Sequence, residues 1–130
     1  MTQPTKRVSR VLVVEDNRMV RDLTVERLHA LGYDTVQAND GPSAIQIFKN
    51  DAAFDLLLTD IVMEGGLSGF EVAQWVQNHA PQCHILLTSG FSEQMAEASN
   101  FDIGELRVLQ KPYSLAELQQ RINDVFETID

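Results

Sequence analysis

Several short apolar stretches of this 130-residue chain end in side chains that could carry out chemistry. The residues concerned are Glu15, Asp16, Asp60, Ser89 and Lys111. Carboxylate oxygens are the ligands that Mg²⁺ prefers, and an aspartate can act as a nucleophile that forms an acyl phosphate. A serine hydroxyl and a lysine amine can each bind a phosphate oxygen. Together the five groups predict a phosphoryl-transfer site, provided that the fold brings them to one place.

Each of these residues also has an ordinary structural explanation. Asp60 could cap the turn that follows it, and Glu15 with Asp16 could form an acidic first helical turn favoured by the helix dipole. Ser89 could be a turn residue, and Lys111 a surface cation. The two adjacent acids repel each other, however, by about 4 kcal/mol for charges ~4 Å apart at an effective dielectric of 20, and a divalent cation would relieve this. The shared position of all five favours one site.

That shared position is the end of a buried strand. A short apolar run bounded by a turn signal is typical of a strand covered on both faces, as in a parallel sheet. The predicted strands are 11–14, 33–38, 56–59, 85–88 and 107–110. Four of these five strands end in one of the groups above; the second, which we expect at an edge, does not. Ligands of open α/β sheets bind beyond the carboxyl ends of the strands.

Helical segments alternate with these strands, which predicts parallel pairing with helices on both faces of the sheet. Asn17 is expected to cap the first helix and Gly32 to end it, with Val20, Leu23, Leu28 and Leu31 buried. A helix from Ser92 to about Ala98 is less clearly patterned, and 99–105 gives no clear signal. The expected buried residues of the last helix are Leu115, Leu118, Ile122, Val125 and Ile129.

Composition predicts a single domain over 10–130, preceded by a flexible tail over 1–9. No apolar run approaches the ~20 residues of a membrane span, and the first ten residues lack the apolar core of a secretory signal. One cysteine, Cys83, excludes an internal disulfide and favours a reducing, cytoplasmic location. A net charge of −9 argues against a nucleic-acid surface, which needs clustered Lys and Arg.

Nearly the whole chain, from about Arg10 to Ile129, resembles the receiver domains of two-component response regulators. The resemblance rests on the segments Val-Val-Glu-Asp-Asn (13–17), Leu-Leu-Thr-Asp-Ile-Val-Met (57–63), Leu-Leu-Thr-Ser-Gly (86–90) and Lys-Pro-Tyr (111–113). It implies a flavodoxin-like (βα)5 fold: a doubly wound, five-stranded parallel sheet in the order 2-1-3-4-5. That strand order comes from the resemblance alone.

The resemblance also implies roles for individual residues. Asp60 would be the phosphoacceptor, and Asp16 a direct Mg²⁺ ligand. Glu15 would act in the metal site largely through water, and the backbone carbonyl of Val62 would complete the protein's ligands. Ser89 would be the switch hydroxyl, and Lys111 the characteristic lysine of the family, followed by a cis peptide bond to proline.

The implied partner is a phosphohistidine protein, either a sensor histidine kinase or a histidine phosphotransfer protein. The chain would not be an enzyme beyond its own phosphorylation and slow dephosphorylation, and it would bind neither nucleic acid nor membrane. We further expect a homodimer on phosphorylation. The chain could be a separate response regulator or the receiver segment of a hybrid histidine kinase.

Three features depart from the usual pattern of the family. Glu64 stands where a proline is common, and the Asp60-to-Gly69 span is one residue longer than in chemotaxis-type receivers, as in receivers of hybrid kinases. Val108 replaces the Tyr or Phe that rotates on activation in many receivers. An aromatic-switch mechanism is therefore not expected to apply unchanged.

Three other functions compete with this reading. A flavin-binding module of the same architecture would need a Ser/Thr/Gly-rich phosphate loop after the first strand, where this chain has Glu15 and Asp16. A Mg²⁺ phosphatase would need an acid two residues after Asp60, where Val62 stands. A receiver that has lost its chemistry would lack some of the site residues, and this chain keeps them.

Overall fold

A computed structural model describes residues 9–63, 66–90 and 107–127. Five strands form one parallel sheet in the order β2-β1-β3-β4-β5, as predicted. They are β1 (Arg10–Val14), β2 (Asp34–Ala38), β3 (Leu56–Asp60), β4 (His84–Ser89) and β5 (Arg107–Gln110). Each strand lies within one residue of its predicted bounds, because uninterrupted apolar runs bounded by turn residues mark such strands clearly.

The described residues include four helices: α1 (Arg18–Ala30), α2 (Gly41–Asn50), α3 (Gly69–His79) and α4 (Leu115–Glu127). The predicted helix from Ser92 to Ala98, most of the predicted tail, and Ile129 lie outside the described residues. Among the described helices, none combines the length and the apolar character that crossing a bilayer requires.

Side-chain caps mark the starts of α1, α3 and α4, and the cap of α1 is the predicted Asn17. The Asn17 side chain accepts a hydrogen bond from the Val20 amide at 3.1 Å at the start of α1. Ser68 and Glu71 form a capping box at the start of α3, with bonds of 2.8 and 3.2 Å. An equivalent reciprocal pair, Ser114 and Glu117, opens α4. These caps satisfy amide groups that have no partner inside the helix, and so fix where each helix starts.

The sheet separates the buried side chains into two clusters, because neighbouring strand residues point to opposite faces. Leu12 and Val14 face α2 and α3, in a cluster that includes Phe48, Phe70 and Val76. Val11 and Val13 face α1 and α4 in the second cluster, whose helical members are Val25, Leu28, Leu118, Ile122 and Val125. Both faces of the sheet are therefore covered, which confirms the doubly wound arrangement.

Two residues expected in the core are exposed instead. Leu23 is 45% exposed, because α1 turns Thr24, Val25 and Leu28 toward the sheet. Thr24 was not expected there because it is polar, but it has a buried hydrogen-bond partner. Leu115 is 41% exposed. Tyr113, just before α4, is buried instead, in the cluster that contains the apolar residues of that helix.

Candidate functional site

The parallel register brings four strand ends to one edge of the sheet. Val14 of β1 pairs with Thr59 of β3, and Asp60 pairs with Thr88 of β4. Ser89 pairs with Gln110 of β5. Glu15, Asp60, Ser89 and Lys111 each end or directly follow these paired positions, so they are brought to the same edge from four different strands.

Lys111 connects two of the acids directly. Its Nζ lies 2.8 Å from Glu15 Oε1 and 3.3 Å from Asp60 Oδ2. Both carboxylates are buried, and Lys111 is partly buried. Ion pairs of this kind interact more strongly than exposed pairs, because little water screens the charges. The predicted convergence of Lys111 on Asp60 is therefore present in the structure.

Asp16 completes a group of three acids. One carboxylate oxygen from each of Glu15, Asp16 and Asp60 lies within 4.8 Å of the others. Glu15 and Asp60 are buried, while Asp16 is exposed. Carboxylate oxygens in such a group are suitable ligands for a hard cation, and the exposed side at Asp16 gives such an ion a route from solvent. The donor set fits the predicted Mg²⁺.

Backbone and side-chain contacts orient these carboxylates. The amide of Asn17 donates to Glu15 Oε2 at 3.1 Å, and Arg21 Nη1 donates to the Glu15 carbonyl at 2.7 Å. The amide of Ile61 donates to Asp60 Oδ1 at 3.0 Å. Asp60 therefore presents Oδ1 to the backbone and Oδ2 to Lys111.

Burial shifts the ionisation of the central groups. It raises the pKa of Asp60 from 3.8 to about 6, opposed by the charge of Lys111 and reinforced by that of Glu15. Burial also disfavours the charged form of Lys111, but its hydrogen bond to Glu15 and the charges of both acids outweigh this and raise its pKa. Near pH 7 the site therefore holds an ionised Asp60 beside a protonated Lys111.

Gly69, the first residue of α3, allows the helix to start against the end of β3. A Cβ at Gly69 would collide with the Asp60 carbonyl oxygen and approach the Ile61 Cα to 2.9 Å. The Gly69 amide also donates to the Ile61 carbonyl at 2.7 Å. The local sequence pattern does not reveal this role of Gly69. A glycine inside a capping box, next to the polar Ser68, was the available signal.

The remaining predicted site residues lie around this centre. Ser89 is buried, and its carbonyl accepts a hydrogen bond from the Lys111 amide at 2.7 Å. Val62 lies in the loop after β3 with its side chain 45% exposed, and a ligand role for its carbonyl stays a prediction. The Lys111–Pro112 peptide bond is cis, as the resemblance implied. Val108 is partly buried against the cluster beneath α2 and α3, whereas Glu64 lies outside the described residues.

Comparisons with known proteins identify the family of the chain. The sequence profile of the response regulator receiver domain matches residues 11–123. The chain belongs to this family. It is therefore a response regulator receiver domain of two-component systems, and the sequence resemblance is confirmed.

Individual relatives extend this finding. The receiver is 34% identical over 113 residues to the uncharacterised transcriptional regulatory protein YrkP of Bacillus subtilis, covering 87% of the chain and 47% of YrkP. It is 30% identical over 115 residues to the response regulator receiver protein CpdR of Brucella abortus, covering 88% of the chain and 94% of CpdR. The chain spans about half the length of most of the curated relatives it matches.

A solved structure shares the fold. The response regulator TrrA of Thermotoga maritima, crystallised in complex with Mg²⁺–BeF, superposes with a TM-score of 0.79 at 28% identity. The match covers 91% of this receiver and 99% of TrrA. The flavodoxin-like class and the strand order, both implied by the family resemblance, are therefore confirmed for this chain.

Proposed function

We propose that this receiver accepts a phosphoryl group on Asp60 from a phosphohistidine, using Mg²⁺. The observation that carries the proposal is the position of Lys111, whose ammonium contacts both Glu15 and Asp60 while Asp16 completes the acid group. The donor would be a sensor histidine kinase or a histidine phosphotransfer protein, since receivers work with histidine kinases.

The formal charge of the site supports a divalent cation. Counted formally, three acids and one lysine sum to two negative charges at this edge of the sheet. Glu15, Asp16 and Asp60 would hold the cation, with the Val62 carbonyl as a further ligand. When bound, the ion would neutralise charge on the transferring phosphoryl group. TrrA, which has the same fold, binds Mg²⁺–BeF.

Asp60, Lys111 and Ser89 have different roles in the phosphoryl transfer. Asp60 Oδ1 is held by the Ile61 amide, which leaves Oδ2, on the Lys111 side, as the attacking oxygen. The bond from phosphorus to the partner's histidine nitrogen breaks as the bond to Oδ2 forms. Lys111 then pairs with one phosphate oxygen, and the buried Ser89 hydroxyl binds another.

The signal follows from the added charge. A phosphoryl group brings about −1.5 to −2 of charge, and this draws Ser89 and Lys111 toward Asp60. Because these residues end β4 and begin the loop after β5, the surface at that side of the sheet shifts between two states. Val108 replaces the usual aromatic residue, so the shift proceeds without an aromatic rotation. A homodimer of phosphorylated receivers is the expected product, and the chain catalyses nothing beyond its own phosphorylation and slow dephosphorylation.

The alternative setting is the receiver segment of a hybrid histidine kinase. The longer Asp60-to-Gly69 span, with its Gly-Gly-Leu-Ser-Gly sequence, favours it. In a separate response regulator and in a hybrid kinase alike, Asp60 would accept the phosphoryl group from a cytoplasmic phosphohistidine. They differ only in whether the phosphohistidine belongs to the same polypeptide.

Intact mass spectrometry after incubation with acetyl phosphate and Mg²⁺ tests the proposal. The parent should gain one phosphoryl group that hydroxylamine removes, as expected of an acyl phosphate. Asp60→Ala should gain none, whereas Asp34→Ala, an exposed control on β2, should behave as the parent does. Asp16→Asn or chelation by EDTA should abolish the gain. An equal gain in the parent and Asp60→Ala would contradict the assignment.

A further inference from the structure

Tyr113, two residues after Lys111, contains a buried hydroxyl that the proposed chemistry does not use. The side chain is only 8% exposed, and its hydroxyl oxygen lies 3.0 Å from Thr24 Oγ1, on a residue that is 6% exposed. Buried hydroxyls need hydrogen-bond partners, and each of these two is the other's partner in this bond. Thr24 lies on α1 and Tyr113 on the loop that follows β5, so the bond joins segments 89 residues apart.

Arg27, one turn further along α1, holds the same residue at a second point. Its Nη1 donates to the Tyr113 carbonyl at 2.8 Å, and its guanidinium carbon lies 5.6 Å from the centre of the Tyr113 ring. Cations in this position over an aromatic ring are attracted to it. We call Thr24, Arg27 and Tyr113, with these three contacts, the α1–Tyr113 clamp.

The other end of α1 holds the acid side of the site. Asn17, its N-cap, donates to Glu15 Oε2, and Arg21 donates to the Glu15 carbonyl. The ion pair between Glu15 and Lys111, at 2.8 Å, closes a ring of contacts that runs from Glu15 through α1 and the clamp to Lys111. Asn17, Arg21 and Thr24 follow the four- and three-residue spacing of a single helix face. The helix therefore acts as a fixed spacer between the acid and the lysine loop.

Apolar packing alone does not require these hydroxyls. Phenylalanine and valine have nearly the same shapes as tyrosine and threonine, and replacing both partners of a buried pair is often close to neutral for stability. What the hydroxyls add is a fixed distance between α1 and the residue two positions after Lys111. A lysine ammonium sits on a flexible four-carbon stem, so the position of its backbone decides where the charge can reach.

We propose that the α1–Tyr113 clamp is a positioning device that sets where the Lys111 ammonium lies relative to Glu15 and Asp60. The inference extends the phosphoryl-transfer function proposed above and rests on it for its kinetic consequence. On one side the Lys111 backbone is fixed by the hydrogen bond from its amide to the Ser89 carbonyl, at 2.7 Å. The clamp fixes it on the other side. Loosening the clamp lets the ammonium move away from the transferring group.

Single-hydroxyl variants test the kinetic consequence. Tyr113→Phe and Thr24→Val should each slow phosphorylation by acetyl phosphate about tenfold, less than the ~100-fold that a 1 Å misplacement can cost. The double variant should be no slower than either single variant, since one bond is lost in all three. Thr24→Ser keeps the hydroxyl and should restore the parental rate. Thr35→Val, which removes an exposed hydroxyl paired with His29, should leave the rate unchanged.

Far-UV circular dichroism and urea unfolding of each variant establish that the fold is kept at the assay temperature. Folded Tyr113→Phe and Thr24→Val variants with the parental rate would overturn the proposal, because the bond would then serve packing alone. A drop in rate for Thr24→Ser equal to that for Thr24→Val would also overturn it, since the hydroxyl would then be irrelevant.

A second arm does not depend on phosphorylation. In Mg²⁺-free buffer, the urea midpoint is measured for Lys111→Met in the parental and Tyr113→Phe backgrounds. The Tyr113 hydroxyl has no contact with Lys111 among the described interactions, so without positioning the two changes should add. We expect Lys111→Met to lower the midpoint less in the Tyr113→Phe background; equal shifts overturn the clamp. If the parent accepts no phosphoryl group, the proposed function fails, and this arm still decides the clamp.

Discussion

Replacing Asp60 by asparagine should stabilise the receiver at neutral pH in the absence of metal. Burial raises the pKa of Asp60 from 3.8 to about 6 in the folded state. Each pKa unit corresponds to about 1.4 kcal/mol, so the ionised carboxylate lowers the free energy of unfolding by about 3 kcal/mol at pH 7. Asparagine has the same shape, keeps an oxygen for the Ile61 amide and carries no charge, so the variant should recover up to that amount.

The pH dependence gives the sign of the effect. Between pH 3.8 and about 6 the folded state binds the Asp60 proton more readily than the unfolded state does, so the stability of the parent falls as pH rises through that window. Below pH 3.8 both states are protonated, and the advantage of Asp60→Asn should disappear.

Urea unfolding in EDTA at pH 7, 5.5 and 3.5 measures this difference. Asp34→Asn, an exposed control, should stay within about 0.5 kcal/mol of the parent at each pH. Equal stability of the parent and Asp60→Asn at pH 7, or an advantage that grows on acidification, would refute the reasoning.

Three further predictions concern other residues. Gly69→Ala should lower the free energy of unfolding by about 3 kcal/mol in urea unfolding, because its methyl group meets the Asp60 carbonyl. Gly90→Ala, whose methyl group meets nothing within 4 Å, is the control. Equal losses for the two variants would contradict the packing argument. In EDTA, Lys111→Met should lower the free energy of unfolding by about 3 kcal/mol, because two buried carboxylates lose their ammonium partner. Mg²⁺ should stabilise this variant more than it stabilises the parent. An equal response to Mg²⁺ would count against a site in which Lys111 and the cation share the same carboxylates. Cys83 should react with maleimide at neutral pH only after unfolding, because burial, with a smaller contribution from the charge of Asp55, raises the pKa of its thiol to about 12. Fast labelling of the folded protein would contradict this and show that the thiol is accessible.

The sequence was sufficient for the sheet and for the groups at its edge. Apolar runs such as Leu56–Thr59 are local signals of a buried strand, and polar residues that directly follow such runs must gather at one edge when the strands are parallel. The order of the strands needed the family resemblance, because periodicity does not say which strand pairs with which. Strand order depends on contacts between segments that are distant in the chain.

The parts that sequence reasoning missed depend on contacts between segments far apart in the chain. Leu23 was expected in the core on hydrophobicity, but Thr24 took that position because Tyr113, far along the chain, offers it a hydroxyl. The role of Gly69 appears only when the end of β3 and the start of α3 are placed together. In both cases the deciding neighbour is invisible to a local pattern.

The separation of the buried side chains into two clusters has an evolutionary consequence. Substitutions beneath α2 and α3 can be selected without repacking the residues beneath α1 and α4, because the sheet stands between them. The outer faces of the two helical layers are thus free to diverge toward different binding partners. The strand ends between the layers keep their chemistry while the layers change, so a single reactive edge can serve unrelated signalling circuits.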